Sequence, residues 1–397
     1  MRDSVDVLVV GAGPAGSVAA RKAAEAGLET LLIEKRQEIG APVRCAEAVG
    51  ADATREFIDE DPRWINAHID FYSISNRQGV MVVVPPTEPT WVVDRRVFDY
   101  ELAHLANKAG ATVVTSAAAT GLLREEGRVS GVTIKRFGKL TDVKAKLVIA
   151  ADGVESQIAR WAGLKTVPPM ADFYTGAQYL LGNMTQHIQP NRCEYHVGMD
   201  MAPGGYLWVF PKSADTANVG IVISSDRAAE VSAREYLDRF VEARYPGTSI
   251  FNVVVGGIPA TGAIKKMVTD GLMVVGDAAH QSDPLTAGGI NLGMYGGAMA
   301  LQVGIEALKQ GDVSAAALQP YEELWRERFG KMHAALYQLR KMMTQMNPDT
   351  LDGIIRTAST LPLDTMTPGN VLMTLLREHP RMLFEARTLI TTGLILK

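Results

Sequence analysis

Cysteine is nearly missing from this chain: Cys45 and Cys193 are the only two among 397 residues. Two thiols so far apart exclude a disulfide framework and a cysteine-built zinc centre, and no metal site is expected. An excess of one charge is lacking too. The net charge is −4, so no global field favours nucleic acid, and no nucleic-acid partner is expected. The start lacks the layout of a leader, because Arg2, Asp3 and Asp6 flank a strand-like run. The expected location is cytoplasmic. Long apolar runs are scarce, with one exception. Residues 284–305 carry no charged side chain and are long enough to cross a bilayer. They also hold Gly288, Gly289, Gly293, Gly296, Gly297 and Gly304, with Asn291 and Gln302. That composition predicts a tightly packed buried helix rather than a lipid-facing one. A chain of this length exceeds a single core, so more than one unit is expected.

What is present begins with residues 5–10 (VDVLVV), a short apolar strand, followed at once by Gly11-Ala12-Gly13-Pro14-Ala15-Gly16. A stretch of good helix formers ends at Gly27, and residues 28–34 (LETLLIE) read as a second strand. This is the strand–helix–strand setting that a GxGxxG pattern requires. Gly11 makes the tight turn, Gly13 lets backbone approach a pyrophosphate, and Gly16 lets helix pack on strand. Glu34 closes the second strand, where a carboxylate accepts hydrogen bonds from a ribose diol. The unit leaves FAD and NAD both open.

Two later segments bear on that choice. Residues 147–153 (LVIAADG) and 271–277 (GLMVVGD) are apolar strands ending in Asp-Gly and Gly-Asp. In this order and spacing the three motifs resemble the FAD-dependent oxidoreductases built like aromatic hydroxylases. The resemblance places Asp277 on the ribityl chain of FAD, and Gly288, Gly289 and Ile290 at a helix N-terminus facing the flavin pyrimidine ring. Asp283-Pro284 resembles the turn before that helix. A second GxGxxG followed by strand and acid is missing, so a nicotinamide domain is not expected. The electron donor is external: a ferredoxin, a deazaflavin or a transient nicotinamide.

The stretch from Ile39 through Cys45 to Glu47 and the middle motif Pro203-Gly204-Gly205-Tyr206-Leu207-Trp208-Val209-Phe210-Pro211 narrow the reading. Both resemble the geranylgeranyl reductase family, and within it the archaeal digeranylgeranylglycerophospholipid reductases. The likeness runs from the first strand to about Phe329. It implies reduction of prenyl double bonds by hydride from flavin N5 with a proton added. For the cofactor it implies Ala15 and Glu34, then Cys45 and Ala46, Arg95, a backbone contact at Ala119, and Asp277, Gly289 and Ile290. Arg95 also reads as a surface cation at a helix start, and the register of residues 117–120 is open by one. The chain departs from the family pattern at Ala46-Glu47-Ala48, at Ile221-Val222 and at Thr286-Ala287, each adding methyl groups where glycine is usual. These departures bear on the exact substrate.

In the middle motif Tyr206, Trp208 and Phe210 share one side of a strand. They read either as an aromatic core face or as the substrate-binding wall of an apolar tunnel over the flavin, with the Tyr206 hydroxyl at one end. Cys45 reads as proton donor or as packing. Only Arg44 beside it in sequence offers a thiolate support, which leans toward packing. Further on, Tyr321, Leu324, Trp325, Phe329, Met332, Leu336, Leu339, Met343 and Met346 predict one stripe of a long helix. That stripe suits either a core or a lipid-accepting groove. The apolar end, 389–396, is too short to span a membrane but suits peripheral contact with one.

The expected fold is therefore α/β. A Rossmann-like FAD-binding domain of the aromatic-hydroxylase type covers 1–70, 92–165 and 265–310. An antiparallel β-sheet substrate domain covers 166–264, and a helical C-terminal domain covers 311–397. The expected partner is a prenylated lipid substrate, and the expected reaction is saturation of its C=C bonds. The alternatives are a flavin hydroxylase of a hydrophobic substrate and an electron carrier without a small substrate.

Overall fold

In the computed structural model, which describes residues 3–361, the first strand is Ser4–Val10, the glycine-led helix is Pro14–Glu25 and the second strand is Thr30–Ile33. Every residue of Thr30–Ile33 is buried, as the apolar strands of a covered parallel sheet are. The sheet orders Val268–Thr269, Leu272–Val274, Lys139–Ala150, Ser4–Val10, Thr30–Ile33 and Thr112–Val114. The pairs from Leu272–Val274 to Thr112–Val114 are parallel. Val10 pairs with both Ala150 and Ile33, and Ala150 with Val274. The glycine turn, the Asp152 turn and Asp277 therefore leave one edge, the carboxyl edge where open parallel sheets bind ligands.

The charge-free run supplies the buried helix Ile290–Gln310. Its small residues allow close approach: a Cβ on Gly297 would fall 2.2 Å from the Ala15 carbonyl oxygen. Among the described residues no helix is long and apolar enough to cross a membrane.

A second sheet orders Ser249–Pro259, Phe173–Gly182, Ala217–Ser224, Tyr206–Pro211, Arg192–His196, Phe71–Ser75 and Met81–Val84. Its last two strands come from residues 71–91, a stretch to which the sequence pattern assigns no unit. Pairing is antiparallel except between Arg192–His196 and Phe71–Ser75. Strand alternation divides the middle motif. Leu207 and Val209 pack with Leu237 and Phe240 of the Ala233–Arg244 helix. Tyr206, Trp208 and Phe210 point the other way, toward Ala46, Ala48 and Ala287.

The long C-terminal stripe is not one face. Tyr321 and Trp325 are buried, but Met332 is 39% exposed, and the next helix, Lys331–Gln345, buries His333, Ala335 and Arg340 instead. A π turn at Arg326–Gly330 separates the two halves. One extra residue in a turn rotates the rest of the helix by roughly 100°, which a count at helical spacing misses. Met346 rejoins the core with Val82, Leu351 and Ile355. The apolar end at 389–396 lies outside the described residues.

Candidate active site

A cavity of about 970 Å³ lies between the carboxyl edge of the first sheet and the aromatic face of the second. Gly13, Ala15, Asp277, Gly288, Gly289 and Ile290 line one side. Gly11 stands at φ 106, where a Cβ would fall 2.3 Å from the Ala151 carbonyl oxygen, and a Cβ on Gly16 would fall 1.9 Å from that of Gly11. Nothing lies within 4 Å of the Cβ position of Gly13, so that point faces open space. The helices beginning at Pro14 and Ile290 have no side-chain cap and no acidic residue in their first turns. Their free N–H groups are available to an anion. Glu34 accepts from the Ala12 N–H (3.1 Å) and the Arg36 N–H (2.9 Å), at the strand end expected for a ribose contact. Burial pushes the Asp277 carboxyl up, and Arg95 partly offsets this. A half-buried carboxylate that borders a cavity is suited to hydroxyl donors such as a ribityl chain. The residues present fit FAD.

The structure does not bring every expected residue to this cavity. Gly11, Gly16 and Glu34 shape the turn behind the lining rather than the lining itself, and among the described residues Ala119 is missing from the lining as well. It lies in the strand Ala117–Glu125, opposite Ile134, although Ala117 donates to the Glu34 carbonyl (2.8 Å). Arg95 is no surface cation. Its side chain is 17% exposed and grips Asp99 through Nε (2.6 Å) and Nη2 (2.7 Å). Burial opposes its charge, but Asp99 and then Cys45 hold it protonated.

Cys45 and Ala46 line the same cavity. Burial raises the thiol pKa, Arg95 lowers it and Glu47 raises it. Arg44 is the cation nearby in sequence, but the structure also brings Arg95, fifty residues away in the chain, to act on the thiol.

Tyr206, Trp208 and Phe210 line the opposite wall with Tyr174 and Tyr195. Tyr195 meets Tyr206 at 5.6 Å and Phe210 at 5.3 Å between ring centres, both edge to face. Such pairs are worth about 0.5–1.5 kcal/mol beyond burial. The Tyr206 hydroxyl donates to the Thr286 carbonyl, and burial raises its pKa well above that of free tyrosine. Trp208 lies against Gly220, where a Cβ would fall 2.2 Å from the ring. Its indole N–H donates to Gln178 (3.1 Å), whose amide donates to the Cys45 carbonyl (2.9 Å). Beyond the aromatic wall the cavity continues between Ile74, Val82, Val84, Leu351 and Ile355, with Met343 beside them.

Sequence reasoning missed Gln178, Tyr195, Glu47, Lys212 and Arg340. Arg340 lines the cavity and is 2% exposed, with bonds to Tyr174 (3.1 Å) and Asp172 (3.2 Å). Nothing local marks these residues, although a buried arginine on a helix expected to be apolar breaks its pattern. Of the departures from the family pattern, Ala46, Ala48, Val222, Thr286 and Ala287 border the cavity. Ile221 faces the other way, into the core beneath the Ala233–Arg244 helix.

A glycine turn, an acid at the end of the second strand and a half-buried Asp277, all at one sheet edge, belong to a flavoprotein: the chain is an FAD-dependent oxidoreductase. Residues 6–177 match the family described as glucose inhibited division protein A, and residues 172–258 match the geranylgeranyl reductase catalytic domain. A digeranylgeranylglycerophospholipid reductase of Methanocella arvoryzae is 42% identical over 97% of this chain and 99% of its own length. Another, of Methanosarcina acetivorans, is 41% identical over 98% and 97%. The crystal structure of a geranylgeranyl bacteriochlorophyll reductase-like protein from Thermoplasma acidophilum matches with TM-score 0.91 at 37% identity, over 98% of this chain and 99% of that one. This chain belongs to the geranylgeranyl reductase family. A flavin-dependent brominase, at 18% identity and TM-score 0.72 over 95% of this chain and 100% of that one, shares the fold alone.

Proposed function

We propose that this protein uses FAD to saturate the C=C bonds of geranylgeranyl chains in archaeal ether-lipid precursors. The observation that carries the reading is one continuous cavity. It runs from Asp277 and Gly289, past Tyr195, Tyr206 and Trp208, to the aliphatic end at Val82, Leu351 and Ile355. A long isoprenoid chain needs an apolar, water-poor path with its reacting bond held against the cofactor edge. When bound, FAD takes electrons from an external donor and supplies a hydride to one alkene carbon while the other carbon receives a proton.

An isolated alkene is a poor hydride acceptor, so the chain's own residues have to favour positive charge at the reacting carbon. The faces of Tyr195, Tyr206 and Trp208 do so by cation–π attraction, about 2 kcal/mol each when desolvated. Cys45, on the Arg95 side, is the proton source. In this reading the FAD unit comprises 1–70, 92–165 and 265–310, residues 166–264 supply the aromatic wall, residues 71–91 add two strands to its sheet, and the protein contacts the membrane peripherally. The donor is a ferredoxin, a deazaflavin or a nicotinamide that docks transiently.

The test is mass spectrometry of an unsaturated archaeal ether lipid after incubation with the dithionite-reduced protein. The expected product gains two hydrogens per reduced bond. A product carrying an added oxygen atom, with oxygen consumed, would replace this reading with the hydroxylase, and an unchanged lipid would leave it without support.

A further inference from the structure

Glu47 sits two residues beyond Cys45, is 3% exposed, and holds φ 74, in the left-handed region that favours glycine. A buried polar side chain at such a position has to be held by its partners. Its carboxylate accepts from Asn218 Nδ2 (2.6 Å) and the Arg95 backbone N–H (2.8 Å), and pairs with Lys212 Nζ (2.7 Å). Lys212 also donates to the Val93 carbonyl (2.7 Å), and Asn218 to that of Ala46 (3.3 Å). The Glu47 N–H in turn donates to Cys45 Sγ (3.2 Å). Asn218 belongs to a strand of the second sheet, Lys212 to the bend just after the strand Tyr206–Pro211, and Arg95 to a helix of the first unit, so three distant elements converge on one carboxylate.

We propose that Glu47 is the positioning residue for the Cys45 thiol, clamping its loop between the two sheets. The groups that act on this thiol are Arg95, which is paired with Asp99, and Glu47 itself, with the Tyr206 hydroxyl across the cavity. Burial acts most strongly and raises the thiol pKa, Arg95 works against it, and Glu47 adds to the effect of burial. A general acid has to hold its proton until the alkene takes it, and the clamp serves that need. The inference rests on Cys45 belonging to the reducing site.

The test is alkylation by iodoacetamide of the FAD-loaded protein without lipid, followed across pH by mass spectrometry at Cys45. Cys193, which is fully buried, is the silent reference. Glu47→Gln removes the charge and should lower the pH midpoint by roughly one unit, the size of effect that a nearby like charge exerts. Glu47→Ala also removes the bonds and should raise the limiting alkylation rate about tenfold above that of Glu47→Gln as the loop loosens. An unchanged midpoint in the first, or equal limiting rates in the two, overturns the proposal. Should an unpaired Lys212 prevent folding, Glu47→Gln with Lys212→Met carries the charge test and Asn218→Ala the bond test, with the same outcomes expected. If the wild type fails to reduce prenyl lipid while these shifts appear, the reductase reading falls and the clamp stands.

Discussion

At the carboxyl edge of the first sheet glycine backbone shapes the cavity, whereas on the wall of the second sheet side chains do. Gly11, Gly13 and Gly16 lie within six consecutive residues, and their work is to be absent as side chains: two avoid collisions at 2.3 and 1.9 Å, and one leaves open space. The wall is gathered from Cys45, Tyr174, Gln178, Tyr195, Trp208 and Arg340, joined by bonds that span the chain. A cofactor common to many proteins is met by a local backbone device. A substrate particular to a few is met by long-range side-chain packing, where single changes alter specificity without removing the fold.

The largest effect should fall on the wall side. Cys45→Ser leaves FAD binding and dithionite reduction intact but slows reoxidation by prenyl lipid about a hundred- to ten-thousand-fold, the contribution of a positioned general acid. Single-turnover kinetics with pre-reduced protein measure this. A loss below about tenfold in both Cys45→Ser and Cys45→Ala would assign the thiol to packing.

The backbone side is sharpened by comparing two glycines. Gly16→Ala forces a Cβ into the Gly11 carbonyl and should lower the thermal midpoint of the FAD-free protein by several degrees, as about 1–3 kcal/mol of overpacking does. Gly13→Ala meets no protein atom, so it should leave that midpoint near wild type and weaken FAD binding. Equal melting of the two variants would contradict the division.

Asp277 gives a pH-linked test of intermediate size. Its folded-state pKa is raised by burial, so ionisation costs stability: the penalty is absent in acid and grows as pH rises through the raised value. Asp277→Asn should therefore stabilise the FAD-free protein at neutral pH and not in acid. It should also weaken FAD by about 1.5–3 kcal/mol, through loss of a charge-assisted bond. Calorimetry of both forms at two pH values separates the effects, and tighter FAD binding by the variant would rule out the assigned role.

The smallest effect is at Ala287, which holds φ 61 beside the cavity. Ala287→Gly relieves about 1–2 kcal/mol of left-handed strain but adds roughly 0.5–1 kcal/mol of unfolded-chain entropy. A gain under about 1 kcal/mol in denaturant titration is expected, and a net loss would mean that the methyl group stabilises the loop by packing.

The same contrast explains what is legible in the sequence. The strand, glycine turn and Glu34 are contiguous, so their geometry follows from local rules, and the charge-free run is readable as buried because its glycines are in plain view. Alternation places Tyr206, Trp208 and Phe210 on one side. What faces them is hidden, because the Trp208–Gln178–Cys45 chain and the Arg95–Cys45 approach depend on how strands far apart pair. The π turn at Arg326–Gly330 leaves no mark in a hydrophobic pattern, so the stripe through Met332 goes astray. Arg340 is buried only because Asp172 and Tyr174, far upstream, await it.

In the proposed reaction a prenyl chain lies in this cavity against the flavin and receives reducing equivalents from it. Anaerobic mixing of the FAD-reduced protein with a geranylgeranyl ether lipid tests it directly, with flavin absorbance followed in time and the lipid weighed at the end. Reoxidation without oxygen is expected, with one double bond saturated for each flavin reoxidised. Flavin that stays reduced until oxygen is admitted would contradict it.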